Sequence, residues 1–207
     1  MKRMSPLVFA QAGSAALVSL AGVSHARDGI DKARAAAFDA RMFAGAGGQK
    51  TYACFVRRYD AGHLVQHPKQ KVSAVKLLMT AENPPEEATT TNYAFRLGVQ
   101  YRHRPGKFDS GGSCGHVIAE DNGDEIRLGC GVDCDGGGID VAMKDDKSAV
   151  VRLERIMLWQ PNKPDDGPNN ELEAGTDDKI FRAERADLRE CAELVTDRRE
   201  LAALRHK

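Results

Sequence analysis

Hydrophobic and polar residues alternate in short runs between Tyr52 and Arg185, and this period of two is the feature that most limits the fold. In the clearest run, apolar side chains share one face: Tyr93, Phe95, Leu97, Val99 and Tyr101. Such alternation is typical of antiparallel strands that bury one face and expose the other. Comparable runs predict eight strands, over 52–60, 71–82, 92–102, 113–120, 125–133, 138–144, 149–160 and 178–185.

Turn-forming residues separate these runs, as at Asn83-Pro84-Pro85, Arg104-Pro105-Gly106, Asn122-Gly123 and Gly136-Gly137-Gly138. Strands joined by short connections predict an all-β antiparallel meander. Closure into a barrel is favoured because a closed sheet has no open edges, and a two-sheet sandwich is the alternative. The apolar phase switches between Leu153 and Ile156, which predicts a bulge near Glu154-Arg155. Pro161 to Asp178 is expected to form an exposed loop.

Helical segments flank the predicted barrel domain, 51–186. Residues 27–50 are expected to form a short Ala-rich helix, Lys32 to Phe43, and a Gly-rich linker. Residues 187–207 return to a helical pattern that begins with a capping box at Asp187 and Glu190. An apolar stripe follows, formed by Leu188, Cys191, Leu194 and Val195. This C-terminal helix is expected either to cover one mouth of the barrel or to pack on its wall.

Residues 1–26 have the order of a secretory signal peptide. Lys2 and Arg3 precede the mostly apolar stretch Leu7 to Val23, and Ser24-His25-Ala26 supplies small residues for cleavage. The apolar stretch is short and interrupted by polar residues, so a cleaved signal is favoured over a membrane anchor or an ordinary helix. The sequence therefore predicts a periplasmic or secreted protein with no membrane span after cleavage.

Charge and hydropathy exclude two broad classes of protein. The chain has 30 basic and 30 acidic residues, which argues against a nucleic-acid-binding surface because such a surface normally needs a basic excess. A mean hydropathy of −0.46 argues against a polytopic membrane protein. No cofactor is predicted: Gly45 to Thr51 resembles a phosphate loop but carries Gln49 where that loop needs glycine.

Five cysteines lie after the predicted signal, where an oxidising compartment favours disulfides over metal sites. A hairpin about Asn122-Gly123 places Cys114 opposite Gly131, so a small bulge would allow a Cys114–Cys130 bridge. Cys54 and Cys191 would join the first strand to the C-terminal helix. Cys134 is the expected free thiol, although it competes with Cys130 for Cys114.

Three histidines are weak candidates for metal ligands. His63 and His67 would share one face of a helix, but Gly62 and Pro68 leave room for barely one helical turn. His116 lies two residues from Cys114 and could join them. Ordinary polar residues are the favoured interpretation of all three, and no catalytic residue is assigned.

Several bulky side chains are expected to face the barrel interior, where an eight-stranded barrel either packs its own side chains or holds one small ligand. These candidates for lining a ligand cavity are Met79, Tyr93, Phe95, Tyr101, Met143 and Trp159. A filled core is favoured over a cavity. The preferred functional hypothesis is an exported non-enzymatic binding protein for a small apolar ligand or an envelope protein. The alternative is a metal- or thiol-dependent envelope enzyme that uses His63, His67, His116 and a cysteine.

Overall fold

The structure is a computed structural model that describes residues 30–45, 48–86, 90–120, 123–160 and 170–205. Within these ranges there are nine strands and three α-helices, and the 3₁₀ helix Leu188–Leu194 precedes the last α-helix. The elements are α1 (Lys32–Met42), β1 (Lys50–Arg58), α2 (Ala61–Gln66), β2 (Val72–Glu82), β3 (Asn92–Tyr101), β4 (Phe108–Ala119), β5 (Glu125–Gly131), β6 (Gly137–Met143), β7 (Ser148–Met157), β8 (Glu171–Glu173), β9 (Ile180–Ala186) and α3 (Arg198–Arg205).

The strands form a closed antiparallel barrel. β1 to β7 pair successively along the chain, and β9 pairs with both β7 and β1, which closes a ring of eight strands. β8 is an additional short strand that pairs with the end of β7. The predicted barrel is therefore confirmed, and the sandwich alternative is wrong. Closure leaves the ring without open edges, as the alternating pattern suggested.

Inward-facing apolar side chains fill the barrel and form one contiguous core. Strand β3 contributes Phe95, Leu97 and Val99, while β2 contributes Leu77 and Met79, all of them buried. The same core includes three residues at the N-terminal end of the domain: Phe38, Met42 and Phe43. Helix α1, which begins where Asp31 caps it, therefore covers one mouth of the barrel.

A second apolar cluster lies on the outer wall, where the C-terminal segment packs against β1 and β2. Its buried members are Tyr52, Cys54, Val56, Leu78, Cys191, Leu194, Val195 and Leu204. The segment therefore packs on the wall and does not cover a mouth. Asp187 caps it by accepting a hydrogen bond from the Arg189 N–H, whereas the carboxylate of Glu190, the other residue of the predicted capping box, accepts from Arg58. Leu188–Leu194 is a 3₁₀ helix, and α3 follows as a separate helix.

Two segments differ most from the prediction. Strand β4 begins at Phe108, five residues before the expected start, because Asp109 and the glycines after it pair with β3 despite their low strand propensity. Residues 170–178 are expected to be an exposed loop, yet they contain β8 and the buried Asn170, Leu172 and Asp178. Tertiary packing overrides local composition in both segments.

The β6–β7 ladder contains the expected irregularity. Ile139 pairs with Leu153, but Gly137 pairs with Ile156, so β7 contains one residue more than β6 between these two pairs. The additional residue lies at Glu154 and Arg155, both exposed, as the phase switch predicted. The bulge reverses the side-chain alternation, so Ile156 and Leu158 are buried while Trp159 faces outward.

The β4–β5 connection is longer than the predicted two-residue turn. Ala119 pairs with Glu125, so five residues separate the paired positions, and two of the described ones, Gly123 and Asp124, have positive φ angles of 68° and 59°. This register sets Cys114 directly opposite Cys130 with no bulge. Asn122, the predicted signal peptide (1–26), and parts of the predicted linker (46–47) and long loop (161–169) lie outside the described residues.

Candidate functional site

The residues expected to line an internal cavity mostly belong to the packed core. Phe95 and Met79 are 1% and 0% exposed, and Met143 is also buried. Tyr93 and Tyr101 are partly buried and pack against the same core, Tyr101 edge-on to the ring of Phe108. Within the described part of the chain, these side chains occupy the interior themselves.

Trp159 is not an internal residue. It is 38% exposed and lies beyond β7, where its backbone pairs with Asp109 in an isolated bridge. The expectation that it faces inward is wrong because the bulge in β7 changes which residues point into the barrel. The same shift explains why the neighbouring Leu158 is buried.

His63 on α2 and His67, the residue that follows this helix, stack on each other with 4.0 Å between ring centroids. The His63 ring also stacks on Tyr59, and its Nε2 lies 3.0 Å from Oε1 of Gln70. His67 Nδ1 donates to the backbone carbonyl of His63, 2.9 Å away. Within the described ranges, no three His, Cys, Asp or Glu side chains are grouped so that they could hold a metal ion.

His116 belongs to a different cluster, at the mouth covered by α1. Its Nε2 lies 2.9 Å from one carboxylate oxygen of Asp39, and Tyr93 donates its hydroxyl to the other at 2.6 Å. Burial and the bonded Asp39 carboxylate raise the pKa of Tyr93, so Tyr93 stays protonated and acts as a donor. Asp39 therefore ties α1 to β3 and β4, and His116 is not brought to His63 and His67.

Four of the five cysteines form disulfides. Cys54 on β1 joins Cys191 in the 3₁₀ helix, and Cys114 on β4 joins Cys130 on β5. These are the two pairs favoured from the sequence. Cys134 is exposed as a free thiol in the turn between β5 and β6, with a positive φ of 55°.

A groove of about 650 Å³ opens on the outer wall where β6 and β7 meet at the bulge. Because Ile139 and Leu153 belong to the core, the next residue on each strand, Asp140 and Arg152, points outward from the barrel. The groove is lined by Arg127, Cys130, Gly137, Gly138, Ile139, Asp140, Arg152, Leu153, Glu154, Arg155 and Lys179.

Charged side chains surround the groove, and some of them are held by partners. The Arg127 guanidinium donates from Nε to Glu125 at 2.9 Å. Arg155 donates to the Glu171 carboxylate at 2.9 Å and to the backbone carbonyl of Asp135 at 2.6 Å. These contacts fix two basic groups at the rim, where they act as permanent positive charges.

Two glycines of β6 are part of the groove lining. A Cβ on Gly138 would lie 2.1 Å from the carbonyl oxygen of Cys130, and one on Gly137 would lie 2.0 Å from that of Arg155. Side chains are thus excluded from both positions by close backbone approach. Sequence reasoning interpreted 136–138 as a turn and assigned no role to Arg152. The phase switch near Glu154 was the one signal that pointed to this region.

No helix in the described ranges is both long enough and apolar enough to cross a membrane. Comparisons with protein-family models, with curated proteins and with solved structures found no match to this chain.

Proposed function

We propose that the chain is an exported, non-enzymatic binding protein whose recognition surface is the groove on the barrel wall. The observation that carries this proposal is the groove itself: a concave region of about 650 Å³, within the size range of small-molecule sites. It lies at a β-bulge, and bulges commonly re-aim side chains beside binding sites.

The packed interior supports an external site over an internal one. An apolar guest inside the barrel would have to displace buried side chains such as Phe95, Leu97 and Met79. Interiors are close-packed, so that displacement would forfeit core contacts. An outer groove accepts a ligand without such loss, and a small molecule or a protruding group of an envelope protein could occupy it.

The two disulfides support export. Such bonds form and persist in oxidising compartments, and here they bridge both the barrel wall and a hairpin. A rigid, cross-linked scaffold is suited to a site built from strands, because it holds side chains in place without further ordering on binding. Cell fractionation of the full chain, with mass spectrometry of alkylated protein, tests this part. Export predicts loss of 1–26 and one alkylated thiol.

Groove blocking tests the binding surface. Glu154→Trp places a large side chain at the groove, and Glu184→Trp is the matched control because Glu184 is an exposed acid on β9 outside the groove lining. Thermal-shift screening of small molecules should find compounds that stabilise the wild type and the control but not Glu154→Trp. Equal stabilisation of all three proteins, or saturable binding of a fluorescent fatty acid that Glu154→Trp leaves intact, would overturn the proposal.

A further inference from the structure

We infer that the groove binds a small organic anion, with a carboxylate or phosphate group seated on the guanidinium of Arg152. This inference rests on the proposed function, since it names the ligand chemistry of the same groove. It follows from three features of the site: an unsatisfied donor, the balance of charge and the shape of the floor.

The unsatisfied donor is Nη1 of Arg152. This atom is buried and has no hydrogen-bond partner among the described residues. A guanidinium carries five N–H donors, and a buried one left without an acceptor is costly. Asp140 is the direct cross-strand neighbour of Arg152, yet within the described part of the chain no hydrogen bond or ion pair joins them. An acceptor from a ligand would satisfy Nη1.

The ion pairs around the groove leave Arg152 available to an anion. Four basic and two acidic side chains border the groove. Arg127 and Arg155 are held by Glu125 and Glu171, which leaves Arg152 and the exposed Lys179 facing the groove with the acids Asp140 and Glu154. Glu154 is carried outward by the bulge and is exposed, so Asp140 is the acid that competes with a bound anion for Arg152.

The floor and the volume indicate what kind of anion fits. Gly137 and Gly138 are part of the floor and carry no side chain. A volume of about 650 Å³ is far larger than a bare phosphate ion needs and suits a small organic molecule. The planar fork of an arginine matches carboxylate and phosphate oxygens with two parallel hydrogen bonds. Arg152 would therefore hold the charged group and the groove would hold the body.

Isothermal titration calorimetry with defined probes tests the inference. Acetate presents a carboxylate and inorganic phosphate presents a phosphate with little or no further structure. Citrate and glucose 6-phosphate present the same groups on a larger molecule. We expect the larger probe of at least one pair to bind more tightly than its bare anion. We expect Arg152→Gln to weaken that binding by about tenfold or more, the loss typical of a charge-assisted hydrogen bond. Arg152→Lys keeps the positive charge but loses the forked guanidinium, so its affinity should lie between those of the wild type and Arg152→Gln.

Two further variants give the inference its controls. Arg182→Gln removes an exposed arginine on the neighbouring β9, outside the groove lining, and should leave binding within about twofold. Asp140→Asn removes the competing acid and should tighten binding. The same loss in Arg182→Gln as in Arg152→Gln would show a general charge effect, and weaker binding in Asp140→Asn would show that Asp140 is a ligand contact. Either outcome overturns the inference.

Failure of the inference can be told apart from failure of the proposed function. If Glu154→Trp abolishes binding of a compound from the thermal-shift screen while Arg152→Gln does not, the groove is a binding surface for a different chemistry. If neither substitution changes the binding of any compound, both proposals are wrong. Circular dichroism and the unfolding midpoint of each variant establish that the barrel is intact.

Discussion

Cys54 and Cys191 are joined by a disulfide across 137 residues of sequence, with 5.9 Å between their Cα atoms. The bond attaches the 3₁₀ helix to β1, at the centre of the apolar cluster on the outer wall. It connects the first strand of the barrel to the segment that follows the last one. The C-terminal segment thus becomes part of the folded domain and not a free tail.

Removal of this disulfide should cost more stability than removal of the other. Cross-links act largely by restricting the unfolded chain, and the chain-entropy model gives about 5 kcal/mol for a loop this long. The Cys114–Cys130 bond spans 16 residues, for which the model gives about 3 kcal/mol. Urea unfolding of Cys54→Ala/Cys191→Ala and of Cys114→Ala/Cys130→Ala measures the difference. A larger loss in the second variant would contradict this account.

The four tyrosines should ionise late in the folded protein. Burial raises the pKa of Tyr52, Tyr59, Tyr93 and Tyr101 above 10.0, and Tyr93 also donates to the Asp39 carboxylate. Because the folded-state pKa is the higher one, the neutral tyrosines contribute stability that is complete below pH 10 and is lost as pH rises through the folded pKa values. Absorbance at alkaline pH should show ionisation later in native protein than in urea.

Tyr93→Phe isolates the contribution of the bond to Asp39. The substitution removes the 2.6 Å hydrogen bond and leaves the ring, which packs against His116 and Phe43. We expect a loss of about 1.5–3 kcal/mol at neutral pH, as for hydrogen bonds to charged groups, and a weaker fall in stability above pH 10. An unchanged free energy of unfolding would show that this hydrogen bond does not contribute to the attachment of α1.

Gly138 and Gly131 face each other in the β5–β6 ladder and offer a matched pair of substitutions. A Cβ at Gly138 would lie 2.1 Å from the Cys130 carbonyl oxygen, whereas nothing lies within 4 Å of one at Gly131. We expect Gly138→Ala to cost about 2 kcal/mol or more, because backbone atoms must move, and Gly131→Ala to be nearly neutral. Thermal unfolding of both variants measures this, and similar midpoints would refute the steric argument.

The pattern of apolar and polar residues was sufficient to predict the barrel but not the groove on its outer wall. Alternation in runs such as Tyr93 to Tyr101 reports which face is buried, and closure was favoured because a closed sheet has no open edges. Strand β8 escaped prediction because Glu171–Glu173 is three residues long and gains its structure by pairing with β7. The shape of the outer wall depends on the strand register, because a shift of one residue changes which outward-facing side chains lie next to each other. The alternation of apolar and polar residues therefore could not predict that Asp140 pairs directly with Arg152.

Asp178 is fully buried, and its two carboxylate oxygens accept hydrogen bonds from the backbone N–H groups of Lys71 and Val72, at 2.7 and 3.1 Å. It thereby ties the segment before β9 to the start of β2. Asp178→Ala leaves two N–H groups without their acceptor, so we expect a loss of about 2–4 kcal/mol in urea unfolding. Asp178→Asn keeps one acceptor oxygen and should lose less.

The pH dependence of stability separates the effect of hydrogen bonding to the Asp178 carboxyl from the effect of its charge. Burial raises the pKa of Asp178 above 3.8 even though the two N–H bonds act in the opposite direction. Since the folded-state pKa is the higher one, the carboxyl contributes most below pH 3.8, and its contribution falls as pH rises through the folded value. The stability difference between wild type and Asp178→Ala should therefore narrow from acidic to neutral pH. A difference that widens with pH would mean that the backbone N–H bonds to the carboxylate outweigh its burial.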